Sequence, residues 1–259
     1  MALASPSPAA FEFVRLVARA YAGLVQTHLM DPETGLGGKL FYAGELDDEG
    51  RALVVAANIA GAASLVAAAD RAAQKQAIRD GVADFLVNSL DEALRIIKNQ
   101  LRKRETAAIC VGLAPAAVER EMQERGVLPD LLRRDVPLAP CHDALLPQEG
   151  KHKAIETPAL VMWSVDSDHA RWLPRLDAIA LDCLNRDAWP ARRWLRLAPR
   201  FLGRLALGLR LLECDREFAA RFVEQLRIRA DRGELAFAFE VRSYLRGLEE
   251  KYSFALREP

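Results

Sequence analysis

The residues best suited to chemistry are gathered in one part of the chain. Cys141, His142 and Asp143 are consecutive, and three of the four histidines, His142, His152 and His169, lie in this part. A histidine can activate a cysteine, but side chains adjacent in sequence usually diverge. A zinc ion needs three or four ligands converging as a tetrahedron. We therefore name Cys141, His142 and Asp143 as candidate catalytic residues, with a polar surface loop as the alternative, and predict no metal site.

A second cluster is acidic. Four of the five residues from Glu45 to Glu49 are carboxylates, and Gly50 follows them. Such a run could hold a divalent cation or an amine. Acidic residues are also common where a helix begins, because they interact favourably with the positive end of the helix dipole. We interpret the run as the start of a helix and keep ligand binding as the alternative.

Arginine is unevenly distributed along the chain. Residues 186–232 contain twelve arginines against six acids, whereas the whole chain has 36 basic and 36 acidic residues. Few aromatic side chains alternate with these arginines, so the pattern favours a solvated or interface surface over nucleic-acid binding. The balanced total charge gives no reason to expect nucleic acid or a charged membrane as a partner.

The apolar and cysteine patterns indicate a location. No apolar stretch approaches the ~20 residues needed to cross a bilayer. The four cysteines are too dispersed for a disulfide framework or a metal finger. A reducing compartment is the simplest interpretation, and we expect a cytoplasmic protein.

Short apolar runs alternate with amphipathic stretches across residues 36–150. The predicted strands are Lys39–Ala43, Ala63–Ala69, Ala83–Val87, Ala107–Leu113 and a short Leu128–Leu132. The predicted helices are Asp47–Gly61, Arg71–Asp80, Ser89–Lys103 and Pro115–Gly126. This alternation is typical of an α/β fold with a Rossmann-like, doubly wound parallel sheet. Such sheets bind ligands outside the carboxyl ends of their strands.

Helices are predicted on either side of this sheet domain. Apolar residues recur at helical spacing over Phe11–Met30. After a strand at Pro158–Val165, the pattern predicts helices at Trp172–Leu184, Pro190–Leu212, Asp215–Arg232 and Leu235–Tyr252. We expect Pro199, Gly203 and Gly208 to break the second of these helices. We therefore divide the chain into an N-terminal tail and helix at 1–35, the sheet domain at 36–150, and a mostly helical C-terminal region at 151–259 that packs on it.

Four segments of the sheet domain resemble the NAD-binding domain of urocanase. They are GKLFYAGELDDEGRALVVAANIAGAASL, DFLVNSLDEALRIIKN, AICVGLAPAAVEREMQERGVLPDLL and CHDALLP. The motifs SLDEAL, RGVLPD and IAGAASL are specific in combination, and the resemblance runs from Gly38 to about Leu146. It implies a Rossmann-like domain, in a family whose enzymes use bound NAD⁺ as an electrophile to add water to urocanate.

The turn that the resemblance assigns to NAD departs from the family pattern. Urocanases carry a glycine-rich GLGGMGG-type turn, whereas this chain keeps Leu46 and Gly50 and places carboxylates at Glu45, Asp47, Asp48 and Glu49. Glycines let backbone N–H groups approach a diphosphate at the start of a helix. A carboxylate about 6 Å from a phosphate instead costs about 2–3 kcal/mol at an effective dielectric of about 20.

Other family positions differ as well. Ala68 stands where the family has a ribose-binding acid, and Asp70 is only a partial substitute. Leu113-Ala114 replaces a Gly-Asn pair, whereas His142 and Asp143 match the family's Ser-Ala-His-Asp run. We expect no bound NAD and no other cofactor.

Two functions fit these observations. The first is non-catalytic: a urocanase-like domain kept as a folded platform that oligomerises or binds a partner. The second is an NAD-independent enzyme of hydratase or lyase type, or a small-molecule binder, using the crevice at the carboxyl ends of the strands. His142, Asp143 and Asp70 would be its polar groups. The changes in the turn favour the first function, and we do not expect an active urocanate hydratase.

An excess of apolar residues predicts a homodimer. Large apolar side chains crowd residues 189–212, more than one helix face can hold, and they include Trp189, Trp194, Leu195, Leu197, Phe201 and Leu202. Arginine and tryptophan are favoured at the centres of interfaces. We expect a dimer built through the C-terminal helices, the alternative being that these helices cover a sheet edge within the same chain.

Overall fold

The computed structural model describes residues 7–28, 30–138, 159–165, 167–206, 208–245 and 248–254. The chain divides into two compact units. The first comprises Phe13–Leu138 and Leu197–Leu205, and the second comprises the described residues of Met1–Glu12, Ala139–Arg196 and Ala206–Pro259.

A five-stranded parallel sheet organises the first unit. Its strands are β1 (Leu40–Glu45), β2 (Ala63–Ala67), β3 (Phe85–Val87), β4 (Ala108–Val111) and β5 (Leu131–Leu132), in the order β3-β4-β2-β1-β5. The central strands β2 and β4 are buried throughout, because helices cover both faces of a doubly wound sheet. The predicted α/β, Rossmann-like fold is confirmed.

The helices of this unit lie before the first strand and between consecutive strands. They are α1 (Pro8–Thr27, from Phe13 onward), α2 (Asp48–Ala60), α3 (Arg71–Asp80), α4 (Leu90–Lys103) and α5 (Pro115–Glu124). The strand order places α2 and α3 on one face of the sheet and α4 and α5 on the other. On the second face, buried residues of α4 and α5 form one core with Tyr42, Leu65 and Ile109 of the strands.

Local capping fixes where three helices begin, and the sequence predicted helices in these three places. Asp47, Asp70 and Ser89 each lie just before a helix and accept hydrogen bonds from its first N–H groups. At the other end of α2, Gly61 has φ 104° and its N–H donates to Ala57 and Asn58 carbonyls. A glycine adopts this left-handed conformation without steric cost.

The second unit is built on an antiparallel sheet. Its elements are β6 (Ala159–Val165), α6 (His169–Cys183), α7 (Trp189–Leu202, of which Trp189–Arg196 belongs here), β7 (Leu209–Cys214), α8 (Arg216–Asp231), β8 (Phe239–Leu245) and β9 (Leu248–Phe254). The strand order is β7-β6-β8-β9. On one face, Trp163 of β6 packs against Phe222 of α8, with ring centroids 5.1 Å apart.

Two predictions of C-terminal helices were wrong. The helix predicted over Pro190–Leu212 ends at Leu202, and Leu209–Leu212 lies in strand β7. The helix predicted over Leu235–Tyr252 is instead the hairpin of β8 and β9. The signal that favours a strand is a period of two in residue type, in which apolar Phe239 and Val241 alternate with charged Glu240 and Arg242. The predicted helices at α6 and α8 are confirmed, so this region is helical only in part.

Two further features bear on location. In the described parts of the chain, the helices are too short or too polar to cross a membrane. Cys110, Cys183 and Cys214 are free thiols. The cytoplasmic location stays a prediction.

Candidate functional site

The acidic turn lies where β1 ends and α2 begins. Gly44, near the end of β1, takes a left-handed conformation with φ 72°, and the pairing register of β1 with β2 shifts between Tyr42 and Glu45. The N–H of Leu46 then donates to the carbonyl of Ala67 at 2.9 Å, and the Leu46 side chain is buried. The turn therefore lies at the carboxyl edge of the parallel sheet, where this class of fold binds ligands.

The start of α2 is capped by the chain itself. The Asp47 carboxylate accepts a hydrogen bond of 2.7 Å from the N–H of Gly50, and the Asp47 carbonyl accepts one of 2.9 Å from Arg51. The Asp47 carboxylate therefore occupies the position from which an external anion would reach the Gly50 N–H.

Arg133 holds two of the four carboxylates. Its two terminal nitrogens donate to both oxygens of Asp47, at 3.0 and 2.9 Å, and its Nε donates to Glu49 at 3.0 Å. Arg133 directly follows β5, which pairs with β1. The parallel pairing of these strands brings Arg133 and the acidic turn to the same edge of the sheet.

This arrangement was not foreseen from the sequence. The available signal was the basic pair Arg133-Arg134 directly after the short predicted strand at Leu128–Leu132. This pair could be assigned to the acidic turn only once the strand before it was known to lie beside β1.

The hydrogen bonds to Asp47 change its pKa. Partial burial acts to raise the pKa of Asp47, but hydrogen bonds from Arg133 and from the Gly50 N–H outweigh it and hold that pKa below its usual range. Asp47 is therefore a carboxylate at neutral pH. Glu45 and Asp48 are exposed, and Arg133 pairs with Asp47 and Glu49 alone of the four acids. The turn as a whole therefore stays acidic.

Gly50 is retained for a steric reason. A Cβ atom at this position would lie 1.9 Å from the backbone oxygen of Glu45. The last residue of β1 and the first turn of α2 can approach this closely only without a side chain at Gly50. Of the two family positions kept in the turn, Leu46 and Gly50, both serve packing of the chain on itself.

Asp70, the substitute proposed for a ribose-binding acid, has a structural role. Its carboxylate caps α3 by accepting hydrogen bonds from Ala72 and Ala73 at 2.9 and 3.2 Å. The neighbouring Ala68 carbonyl accepts a hydrogen bond of 2.7 Å from the Gln74 side chain. The end of β2 is thus occupied by contacts within the chain.

An open cleft of about 870 Å³ adjoins the acidic turn within the first unit. Tyr42 and Gly44 of β1, Glu119 and Met122 of α5, and Arg133 after β5 are among its lining residues. The Tyr42 hydroxyl contacts a carboxylate oxygen of Glu119 at 3.3 Å and the Pro115 carbonyl at 3.4 Å. Burial and the charge of Glu119 both raise the pKa of Tyr42, so its hydroxyl stays protonated and donates a hydrogen bond.

The first candidate cluster lies outside the described residues. Cys141, His142, Asp143 and His152 all fall within 139–158. His169 is the first residue of α6, in the second unit. Among the residues that the structure describes, no group of three His, Cys, Asp or Glu side chains could hold a metal ion.

Comparison with known protein families identifies the first unit. The model of the urocanase Rossmann-like domain matches residues 18–157, more than half of the chain. The match covers every strand of the parallel sheet and both candidate clusters. On this evidence, the chain belongs to the family of urocanase Rossmann-like domains.

Proposed function

We propose that this protein is a urocanase-like platform that does not use NAD, and that it acts by oligomerising or by binding a partner. The observation that carries the proposal is the carboxylate of Asp47, which caps α2 where a dinucleotide diphosphate would bind. The ion pair between Asp47 and Arg133 supports the proposal, because it holds the Asp47 carboxylate in place.

The residues of the turn do not fit the cofactor. A diphosphate would have to displace Asp47 from the Gly50 N–H and would meet the remaining carboxylates of Glu45, Asp48 and Glu49. Each such pair at about 6 Å opposes binding by about 2–3 kcal/mol at an effective dielectric of about 20. Without NAD the chain has no electrophile of the kind that urocanases use, so we propose that it does not hydrate urocanate.

We expect calorimetric titration of the purified protein with NAD⁺ to give no binding in the micromolar range. Restoring the family glycines in the variant Asp47→Gly/Asp48→Gly serves as the comparison, because it removes the internal cap and part of the charge. Micromolar binding of NAD⁺ to the unaltered chain would contradict the proposal. Loss of urocanate absorbance above the background rate, with NAD⁺ added, would contradict it independently.

The proposed oligomer is a homodimer. Several apolar residues that suggested it are buried within the chain, namely Trp194, Leu195, Leu202, Leu209 and Leu211. What supports association is the edge strand β3, where Phe85 and Leu86 are each 41% exposed and Ile78 of α3 is 40% exposed. An uncovered edge strand with apolar side chains is a common site of association.

Light scattering at micromolar concentration tests the dimer. We expect a mass of twice the 28.7 kDa of one chain, and the variant Phe85→Lys/Leu86→Lys to shift the mass toward one chain. Arg71 and Lys75 of α3 are exposed, and the variant Arg71→Glu/Lys75→Glu is the control for a general effect of charge on the mass. A mass of one chain for the unaltered protein would rule the dimer out.

A second candidate function is supported by the open cleft. Its volume of about 870 Å³ lies within the range of small-molecule sites, roughly 300–1,000 Å³. The cleft is lined by residues of the described first unit alone. This observation favours a small-molecule binder that works without NAD.

A further inference from the structure

We propose that the cleft binds a small organic amine with an apolar body, and that the Glu119 carboxylate holds its ammonium group. The inference rests on the small-molecule alternative and is independent of the loss of NAD binding. It names the class of ligand from the charges and the walls of the cleft.

The walls suit an apolar body. Met122 of α5 and Val136 are buried, and Leu132 is half-buried beside them. Leu128 also lines the cleft and is 86% exposed. A ligand with an apolar body would remove the exposed Leu128 side chain from water, which is favourable.

The cationic side chain in the floor of the cleft is already engaged. Arg133 donates to Asp47 and Glu49 from all three of its guanidinium nitrogens. Arg134 also lines the cleft, but its side chain is 81% exposed and lies 4.0 Å from Asp135. Arg133 is therefore held by the acidic turn, and the Arg134 side chain lies largely in solvent.

Glu119 differs from Asp47 and Glu49, the carboxylates that Arg133 contacts. Its carboxylate accepts a hydrogen bond from the neutral Tyr42 hydroxyl, and among the described residues no lysine, arginine or histidine lies within ion-pair distance of it. The Glu119 carboxylate is exposed, so a ligand in the cleft can reach it beside Met122. An ammonium group can complete this site with a charge-assisted hydrogen bond.

Alternative ligands fit less well. Calcium sites in proteins combine several carboxylate and carbonyl oxygens, whereas Glu119 with Tyr42 offers one carboxylate and one hydroxyl. A carboxylate or phosphate would be repelled by Glu119. A neutral apolar molecule would fit the walls but would add no charge-assisted hydrogen bond to Glu119.

Titration calorimetry with 2-phenylethylamine tests the proposal, because this probe combines an ammonium group with an aromatic body. We expect saturable binding to the unaltered protein, and at least about tenfold weaker binding of 2-phenylethanol and 3-phenylpropionate, which keep the ring and lack the cation. Absence of amine binding, or equal binding of the alcohol, would overturn the proposal.

A matched pair of variants locates the site. Glu119→Gln keeps the shape of the side chain and should weaken amine binding about tenfold, the effect of losing one charge-assisted hydrogen bond. Glu124→Gln lies on the same helix outside the cleft lining and should bind like the unaltered protein. Equal affinity in both variants would place the amine elsewhere and overturn the proposal. Binding of NAD⁺ is measured in a separate titration. The result for the amine and the result for NAD⁺ can therefore each fail independently of the other.

Discussion

Replacing Asp177 with alanine is expected to lower the free energy of unfolding by about 3–5 kcal/mol, the usual effect of removing one partner of a buried ion pair. Asp177 of α6 is 7% exposed and accepts hydrogen bonds from Trp163 of β6 at 2.9 Å and from Arg210 of β7 at 3.0 Å. Burial raises the pKa of Asp177, although Arg210 and Trp163 act against it. The alanine variant leaves the Arg210 charge buried without a carboxylate.

Two comparisons make this result specific. Asp182→Ala removes a carboxylate from the same helix, but that side chain is 74% exposed, so little change is expected. The double variant Asp177→Leu/Arg210→Met replaces both charges with apolar groups and should recover a large part of the loss. Urea denaturation followed by tryptophan fluorescence measures all three. A loss for Asp177→Ala no larger than that for Asp182→Ala would show that the pair does not hold α6 on the sheet.

Replacing Gly50 with alanine is expected to cost about 1–3 kcal/mol, the range for steric overpacking. The new Cβ would lie 1.9 Å from the Glu45 oxygen and 3.0 Å from its carbonyl carbon, and both are backbone atoms that cannot rotate away. The strand end and the first turn of α2 must separate, which also disturbs the cap between Gly50 and Asp47.

Gly112→Ala is the matched control, since it adds the same methyl group at the end of β4. There the new Cβ would lie 3.4 Å from both the Gln74 side-chain nitrogen and the Val87 oxygen, an ordinary contact distance. We expect a clearly smaller loss for Gly112→Ala in the same denaturation experiment. Equal losses would show that the close approach at Gly50 is relieved without cost.

Much of the parallel sheet was predictable because its signals are local. Continuous apolar runs marked β1, β2 and β4, and the caps Asp47 and Ser89 act on N–H groups three residues away. Such hydrogen bonds depend only on neighbours in sequence. The acidic turn was also located correctly from the sequence, together with the helix that follows it.

The sequence by itself thus determined the family, the order of the elements in the first unit and the acidic character of the turn. The tertiary structure decided how those acids are used. Arg133 and Asp47 are 86 residues apart, and they meet because β5 pairs with β1. The same holds for the hairpin that was predicted as a helix, since Phe239 pairs with Val165 across the chain. Contacts of this kind depend on which strands become neighbours, and strand pairing draws its free energy from burial shared between distant segments rather than from any one of them.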